Sequence, residues 1–509
     1  MGTSSSSNLR GSSSSPSRRQ KESKSSSASS EKPVGKVGSA LSKVRGNAAD
    51  LVPWSPADRW KLTMGGKKLT VSASRGGRVG LSNLGNTCFM NAGLQCLSHI
   101  EPIVSYFLTG KHQEEVNEKN SMGSGGHLAR GFAKLQEQLW QRSGKTQSPK
   151  QLHSTLAKFA PHLFEGYDQQ DAQEFLAYFL DGLHEDLNLV REPPPRPQVD
   201  DSEDAELRAD EEQAQLEEEK GEEYVAALAW MHHLSRHKSF LVDLFQGQLR
   251  SQVTCSVCGK VSKTFDPYLY MSLPVHDRMK SVEEALRCFL AEETLSGQEQ
   301  WRCNRCKKRV NAKKKIDIWK LPPVLVIHLK RFEFDTKTYR FRKIQAELKS
   351  RLTIDLSDFV QTEQKESLVY DIMCVANHSG PFGSGHYTAT CRHPIDGRFY
   401  HFNDGHVEEV KDIDKVVSHK AYVLFLIRNA STEDLVRQSV SHPEVWPHAV
   451  SKHNSVMLPA VWDWKSTLAK QLKAKVKGKK KQEQELHNRD ADLESYVRTS
   501  LHSEVSISS

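Results

Sequence analysis

Cys88 stands where a polar loop turns into an apolar helix, in Gly80-Leu81-Ser82-Asn83-Leu84-Gly85-Asn86-Thr87-Cys88-Phe89-Met90-Asn91. Thr87 or Asn86 can cap that helix through a short side-chain oxygen. Beyond the cap, Phe89, Ala92, Gly93, Cys96 and Leu97 repeat at helical spacing and give one buried face. A cysteine in the first turn meets the helix dipole and free N–H groups, both of which favour the nucleophilic thiolate. Asn83, in the loop before it, could aim an amide N–H at the oxyanion of an acyl intermediate. Cysteines flanked by apolar residues are mostly small core residues, and Cys96 reads that way. A nucleophilic cysteine also needs a base and an orienter, usually far away along the chain. Gly383-Ser384-Gly385-His386-Tyr387 and Phe402-Asn403-Asp404-Gly405 supply both.

A second constellation is Cys255-Ser256-Val257-Cys258 with Cys303-Asn304-Arg305-Cys306. Each pair puts two thiolates on one tight knuckle, and two knuckles give the four tetrahedral ligands of zinc. Four protein ligands leave no open position, so the metal is expected to be structural. A redox pair or four unrelated core cysteines would not explain the doubled spacing. Cys288, between the pairs, is expected in the core.

The segment from Asn83 to Asn91 resembles the cysteine box of the ubiquitin-specific protease family, and the two glycine- and asparagine-bearing segments resemble its histidine box. The likeness is ordered and runs from about Arg78 to Ile427. It implies an α+β, papain-like cysteine protease with a helical thumb bearing Cys88, a β palm bearing His386 and zinc-tipped β fingers. It also implies thiol-dependent hydrolysis of the bond after ubiquitin's C-terminal glycine. His386 would take the Cys88 proton and later protonate the leaving amine. By the family's spacing the residue that orients His386 aligns with Asn403, and the adjacent Asp404 could assist. Gln169-Gln170-Asp171-Ala172-Gln173-Glu174-Phe175 resembles a further family box whose polar residues contact ubiquitin's basic surface. Asp171 and Gln173 match it; from chemistry alone, an acidic solvated side near a helix N-terminus is the simpler reading. Gly385 and Tyr387 are expected beside the substrate tail, since glycines let backbone approach it closely.

These residues need elements to hold them. Ala172, Phe175, Leu176, Phe179, Leu180 and Leu183 define the core face of one helix. Leu321 to Leu329 has the length of a buried strand, with His328 as a structural histidine in it. Tyr268 to Val275 reads as another strand. Ile372, Cys374 and Ala376 alternate like a strand with one buried face, and Tyr422 to Ile427 reads as a last buried strand.

Around this 78–428 catalytic region the composition changes. Residues 1–50 are rich in Ser, Lys, Arg and Gly and are expected to be disordered. Residues 51–77, with Trp54 and Trp60, form a lead-in segment. Residues 189–223 are an insertion with Pro193-Pro194-Pro195 and a dense acidic run, expected as a solvated linker or exposed helix. The zinc fingers are placed at 250–320, and 429–509 is a basic, mostly disordered tail. The formal charge of +8 comes largely from the two ends and does not suggest a nucleic-acid partner.

The 9 cysteines, an odd number, and the lack of a signal peptide or long apolar run point to a reducing, cytoplasmic setting. Met1-Gly2-Thr3-Ser4-Ser5-Ser6 fits an N-myristoylation pattern. With the following bases it raises an expectation of weak membrane association. Lys477 to Lys481 could serve as a nuclear signal. The expected partners are ubiquitin and ubiquitinated proteins, with the chain a monomer. The alternatives are a protease for a ubiquitin-like modifier, or a ubiquitin-binding scaffold of weak activity.

Overall fold

The computed structural model describes residues 76–429 apart from 142–144, 165, 196–202, 336–338, 363–366 and 382. The expectations for Gly2, for Trp54 and Trp60 and for the lysine-rich tail lie outside the described residues. None of the described helices is long and apolar enough to cross a membrane.

Helix Cys88–Leu97 is the hub of the helical half. Every residue of it is buried, so the single apolar face expected from periodicity is instead a helix enclosed on all sides. It packs against helix Ala172–Asp186 and against strands Val369–Ser379 and His386–Arg392. Phe89 meets Phe175 edge-on with ring centroids 5.9 Å apart. Gly93 is required here, because a Cβ would come within 2.8 Å of the Phe175 ring. The six apolar positions expected on the core face of Ala172–Asp186 are all buried.

The β half is an eight-stranded sheet among the described residues. Its order is His406–Glu409, Phe399–Asn403, His386–Arg392, Val369–Ser379, Ala421–Arg428, Val324–Lys330 and Met271–Pro274, with Thr353–Asp355 paired to Val369–Ser379. Neighbours run antiparallel except Val324–Lys330 with Met271–Pro274. Strand Val369–Ser379 is buried at every position from Ile372 to His378. It lies in mid-sheet and is covered on both faces, so the alternation seen in Ile372, Cys374 and Ala376 does not mark a solvent side. His328 does sit in its strand as a structural residue, with Nδ1 3.0 Å from Ser272 Oγ. The stretch Tyr268–Val275 is not one strand: Val261–Tyr268 belongs to the fingers and Met271–Pro274 to the main sheet.

The fingers are a four-stranded sheet ordered Val261–Tyr268, Gly247–Cys255, Ala312–Lys320 and Glu293–Leu295, with a small hairpin of Trp301–Cys303 and Lys308–Val310 at the tip. The acidic insertion is not a loose linker. It contains helix Glu203–Lys220, followed by Glu222–Leu234, and both dock on the fingers. Asp210 pairs with Lys260 at 2.7 Å, Glu222 with Arg250 at 2.8 Å, and Val225 and Ala226 cluster with Phe265. The acidic residues thus offset the basic side chains of the finger strands. Cys288, expected in the core, is exposed, because its helix Val282–Phe289 buries only Val282, Ala285 and Leu286.

Candidate active site

Two strand ends and one helix start build the cleft. His386 opens strand His386–Arg392 and Asn403 closes strand Phe399–Asn403. Their antiparallel register, with Ala389 opposite Phe402, brings the start of one beside the end of the other. His386 Nε2 lies 2.8 Å from Asn403 Oδ1. A carboxamide oxygen only accepts, so Nε2 carries the proton and Nδ1 keeps its lone pair. That is the tautomer a general base requires.

Cys88 enters from the helix side. Its Sγ accepts a hydrogen bond from the Tyr387 N–H at 3.5 Å. Burial raises its pKa, the Asp404 charge adds to the rise, and the N–H of Tyr387 opposes it. The expected thiolate preference is therefore not met in this resting arrangement. Among the described residues no hydrogen bond joins Cys88 to His386. Thr87 takes the N-cap position but makes no side-chain capping bond. Its Oγ1 accepts from the Leu84 N–H at 2.9 Å instead, which leaves the first N–H groups of the helix facing the thiol.

Asn83 is held on the rim. Its Oδ1 accepts from the N–H groups of Gly85 and Thr87 at 3.0 and 3.1 Å, so its NH₂ must point the other way. One of those hydrogens goes to Asp404 Oδ2 at 3.0 Å. Asp404 Oδ1 accepts from Asn91 Nδ2 at 2.8 Å, and the Asp404 carbonyl accepts from the Leu81 N–H at 2.9 Å. Asp404 sits at φ 48°, a left-handed conformation that aspartate tolerates better than most residues. It therefore braces Asn83 and Asn91, while among the described residues it is Asn403 that hydrogen-bonds the His386 ring. Close packing secures this join: a Cβ on Gly80 would lie 2.5 Å from the Gly405 carbonyl.

Gly385 has no room for a side chain either, since a Cβ would fall 1.9 Å from His378 Nε2. The His378 ring lies tilted against Tyr387, centroids 4.6 Å apart, and burial with the nearby Lys343 charge pushes its pKa down to about 4. The Gly385 carbonyl accepts from Gln169 Nε2, which also lies 3.9 Å from Cys88 Sγ. The Gln169 carboxamide thus spans the cleft. Tyr387 is buried and reaches the site through its backbone.

Asp171 caps helix Ala172–Asp186, accepting from the Gln173 N–H at 2.7 Å, and its other oxygen accepts from the Tyr422 hydroxyl. Both oxygens are engaged within the chain, one of them as a helix cap, so this carboxylate is not the solvated one that the simpler reading anticipates. Gln173 Nε2 is buried without an acceptor among the described residues. Asn91, Gln169, His378 and Tyr422 received no role from sequence. Asn91 could have been suspected as a polar residue inside an otherwise apolar helix.

At the fingertip Cys255, Cys258, Cys303 and Cys306 bring their sulfurs within 4.8 Å of one another. The Cys255–Cys306 and Cys258–Cys303 separations are 3.9 and 3.7 Å. Tetrahedral zinc with bonds of about 2.3 Å sets sulfurs roughly 3.8 Å apart, so the cluster fits such an ion. The N–H groups of Val257, Cys258 and Cys306 point at the sulfurs of Cys255 and Cys303 at 3.4 Å, which favours thiolate.

The family model described as ubiquitin carboxyl-terminal hydrolase matches residues 79–426. The chain belongs to this family. Ubiquitin carboxyl-terminal hydrolase 2 of Rattus norvegicus is 37% identical over 371 residues, covering 72% of this chain and 56% of the relative. The Gallus gallus protein of that name is 38% identical over 356 residues, covering 69% of this chain and 93% of the relative. The chain spans about half the length of the first relatives it matches, 56% in each of the rat, cattle and human proteins. Among solved structures it is similar to the SAGA Ubp8/Sgf11/Sus1/Sgf73 DUB module bound to ubiquitin aldehyde. That likeness has TM-score 0.53 and 24% identity, over 71% of this chain and 72% of the other. It shows the mixed helix and sheet fold expected for the ubiquitin carboxyl-terminal hydrolases.

Proposed function

We propose that this hydrolase cleaves the isopeptide or peptide bond after the C-terminal glycine of ubiquitin, with Cys88 as nucleophile. The observation that carries the reading is the meeting of Cys88 Sγ with the Tyr387 N–H, next to a histidine whose tautomer Asn403 fixes. His386 Nδ1 takes the Cys88 proton, and the thiolate attacks the glycine carbonyl carbon. The oxyanion that forms is stabilised by the Asn83 amide and by an N–H at the start of helix Cys88–Leu97. Collapse of that intermediate expels the amine, which takes the proton from His386 and leaves a thioester on Cys88. His386 then removes a proton from water, the hydroxide attacks the thioester, and the Cys88 thiolate departs. In this scheme Asn403 and Asp404 do separate work: the first orients the base, the second braces the oxyanion donors.

The substrate tail passes between Gln169 and Gly385, so the Gln169 carboxamide swings aside on binding. Gln173 faces the body of ubiquitin, while Asp171 fixes the start of the helix that presents it. Cys255, Cys258, Cys303 and Cys306 hold one structural zinc; the ion supplies folding free energy to the fingertip and takes no part in the chemistry. Incubating the purified chain with ubiquitin conjugates and, separately, with conjugates of a ubiquitin-like modifier tests the substrate class. Cleavage of the first set alone is expected. Preferential cleavage of the second, or of neither, would refute the reading.

A further inference from the structure

Three groups that the thiol chemistry does not use meet at the far end of helix Ala172–Asp186. His184 and Glu185 lie in its last turn, and His237 lies between helices Glu222–Leu234 and Phe240–Phe245. Each offers a ligand atom, and these atoms all lie within 4.8 Å of one another. His184 Nε2 and His237 Nδ1 are 3.2 Å apart. Two imidazole nitrogens bound to one tetrahedral zinc at about 2.0–2.1 Å stand roughly 3.3 Å apart, so the two rings already have a metal's bite. The same spacing suits an N–H···N bond between two neutral rings, which is the metal-free state of the pair.

The surroundings hold the three groups in place. His184 Nδ1 lies 2.8 Å from Ser239 Oγ. With its proton donated there, Nε2 keeps a lone pair. Glu185 Oε2 accepts from Asn120 Nδ2 at 2.7 Å, which steadies the carboxylate. The His237 ring stacks on His233 with centroids 5.0 Å apart at 25°, and His233 Nε2 is tied to Gln246 Oε1 at 2.6 Å. His184 and Glu185 are buried, whereas His237 is partly exposed, which gives an ion a path from solvent.

We propose that His184, Glu185 and His237 form a second metal site, separate from the fingertip cysteines, for a divalent ion of the zinc class. Two imidazoles and one carboxylate suit zinc better than calcium or magnesium, which favour oxygen ligands throughout. Three protein ligands leave the fourth position to water, so this ion exchanges more readily than one held by four thiolates. On binding, the His237 proton moves from Nδ1 to Nε2 through solvent, and both facing nitrogens become ligands without net proton release. The ion ties the end of the helix that begins at the cleft to the segment that enters the fingers, where Ser239 caps helix Phe240–Phe245.

The test is a calorimetric titration of the full chain with Zn²⁺, after a mild chelator has removed loosely held metal, with metal analysis of the gel-filtered product. The wild type is expected to take up one equivalent beyond that held by the cysteines. His237→Ala is expected to weaken that equivalent by at least on the order of 100-fold, the upper cost of losing even an outer-shell partner, with the cysteine-bound zinc unchanged. Should His237→Ala fold poorly, His237→Asn gives the same comparison with a smaller loss of volume. No additional equivalent in the wild type, or an equal one in the variant, would overturn the site.

Discussion

At the fingertip four thiols arrive two by two, from Cys255 with Cys258 and from Cys303 with Cys306, and the sulfurs of opposite pairs stand 3.7 and 3.9 Å apart. In the cleft one thiol rests 3.5 Å from a backbone N–H, and the histidine meant to activate it bonds to Asn403. The first site is finished by folding; the second is held slightly open. Metal binding rewards complete geometry, because each ligand adds to the stability of the folded state. Catalysis rewards geometry reached in the transition state, so a resting thiol whose pKa is raised by burial can wait for substrate.

The contrast predicts different failures. Replacing any one fingertip cysteine, Cys303→Ser for instance, should unfold the fingers and aggregate the protein. Structural zinc contributes about 10–16 kcal/mol in small domains, which is as large as the whole stability of a typical fold, about 5–15 kcal/mol. Metal analysis and thermal melting read this out; a soluble, zinc-free and active variant would break the comparison. His386→Ala should leave folding and ubiquitin binding intact while lowering kcat/KM by on the order of 10⁴-fold, seen with a fluorogenic ubiquitin substrate. Loss of melting temperature in that variant would mean the cleft is as structural as the fingertip.

The fingertip and the paired boxes were readable because their residues are few in type and regular in spacing. Cys255-x-x-Cys258 states its own geometry, and strand order had only to bring the second knuckle near. The separate duties of Asn403 and Asp404 were not readable, since adjacent residues in a chain end point opposite ways only once a turn is built. Asp404 at φ 48° turns away from His386 and reaches Asn83 and Asn91. The docking of the acidic insertion was hidden for a similar reason. A dense run of Glu reads as solvated until Lys260, Lys263 and Arg250 appear across from it. Cys288 was misread although the spacing held the answer: Val282, Ala285 and Leu286 set the buried stripe at i, i+3 and i+4, and Cys288 falls off it.

Two smaller effects sharpen the division within the cleft. Asn403→Ala and Asp404→Ala should each slow turnover by roughly 10²-fold, less than loss of the base itself. Only Asn403→Ala should shift the acidic limb of the kcat/KM pH profile, because only it touches the histidine ring. Identical profiles for the two variants would merge the two roles. The resting thiol gives the mildest effect. Burial favours the neutral thiol, so raising the pH is needed to populate the thiolate. Alkylation of Cys88 by iodoacetamide in the free enzyme should therefore climb through the ordinary thiol range and continue above it. A plateau below neutral pH would show a preformed thiolate–imidazolium pair.

The most direct measurement is to react the wild-type chain with ubiquitin bearing a C-terminal electrophile and to locate the adduct by peptide mass spectrometry. The structure predicts one ubiquitin per chain, attached to Cys88 Sγ, with no adduct on exposed Cys288 and none formed by Cys88→Ala. An adduct on another cysteine, or undiminished labelling of Cys88→Ala, would contradict the assignment of Cys88 as the nucleophile.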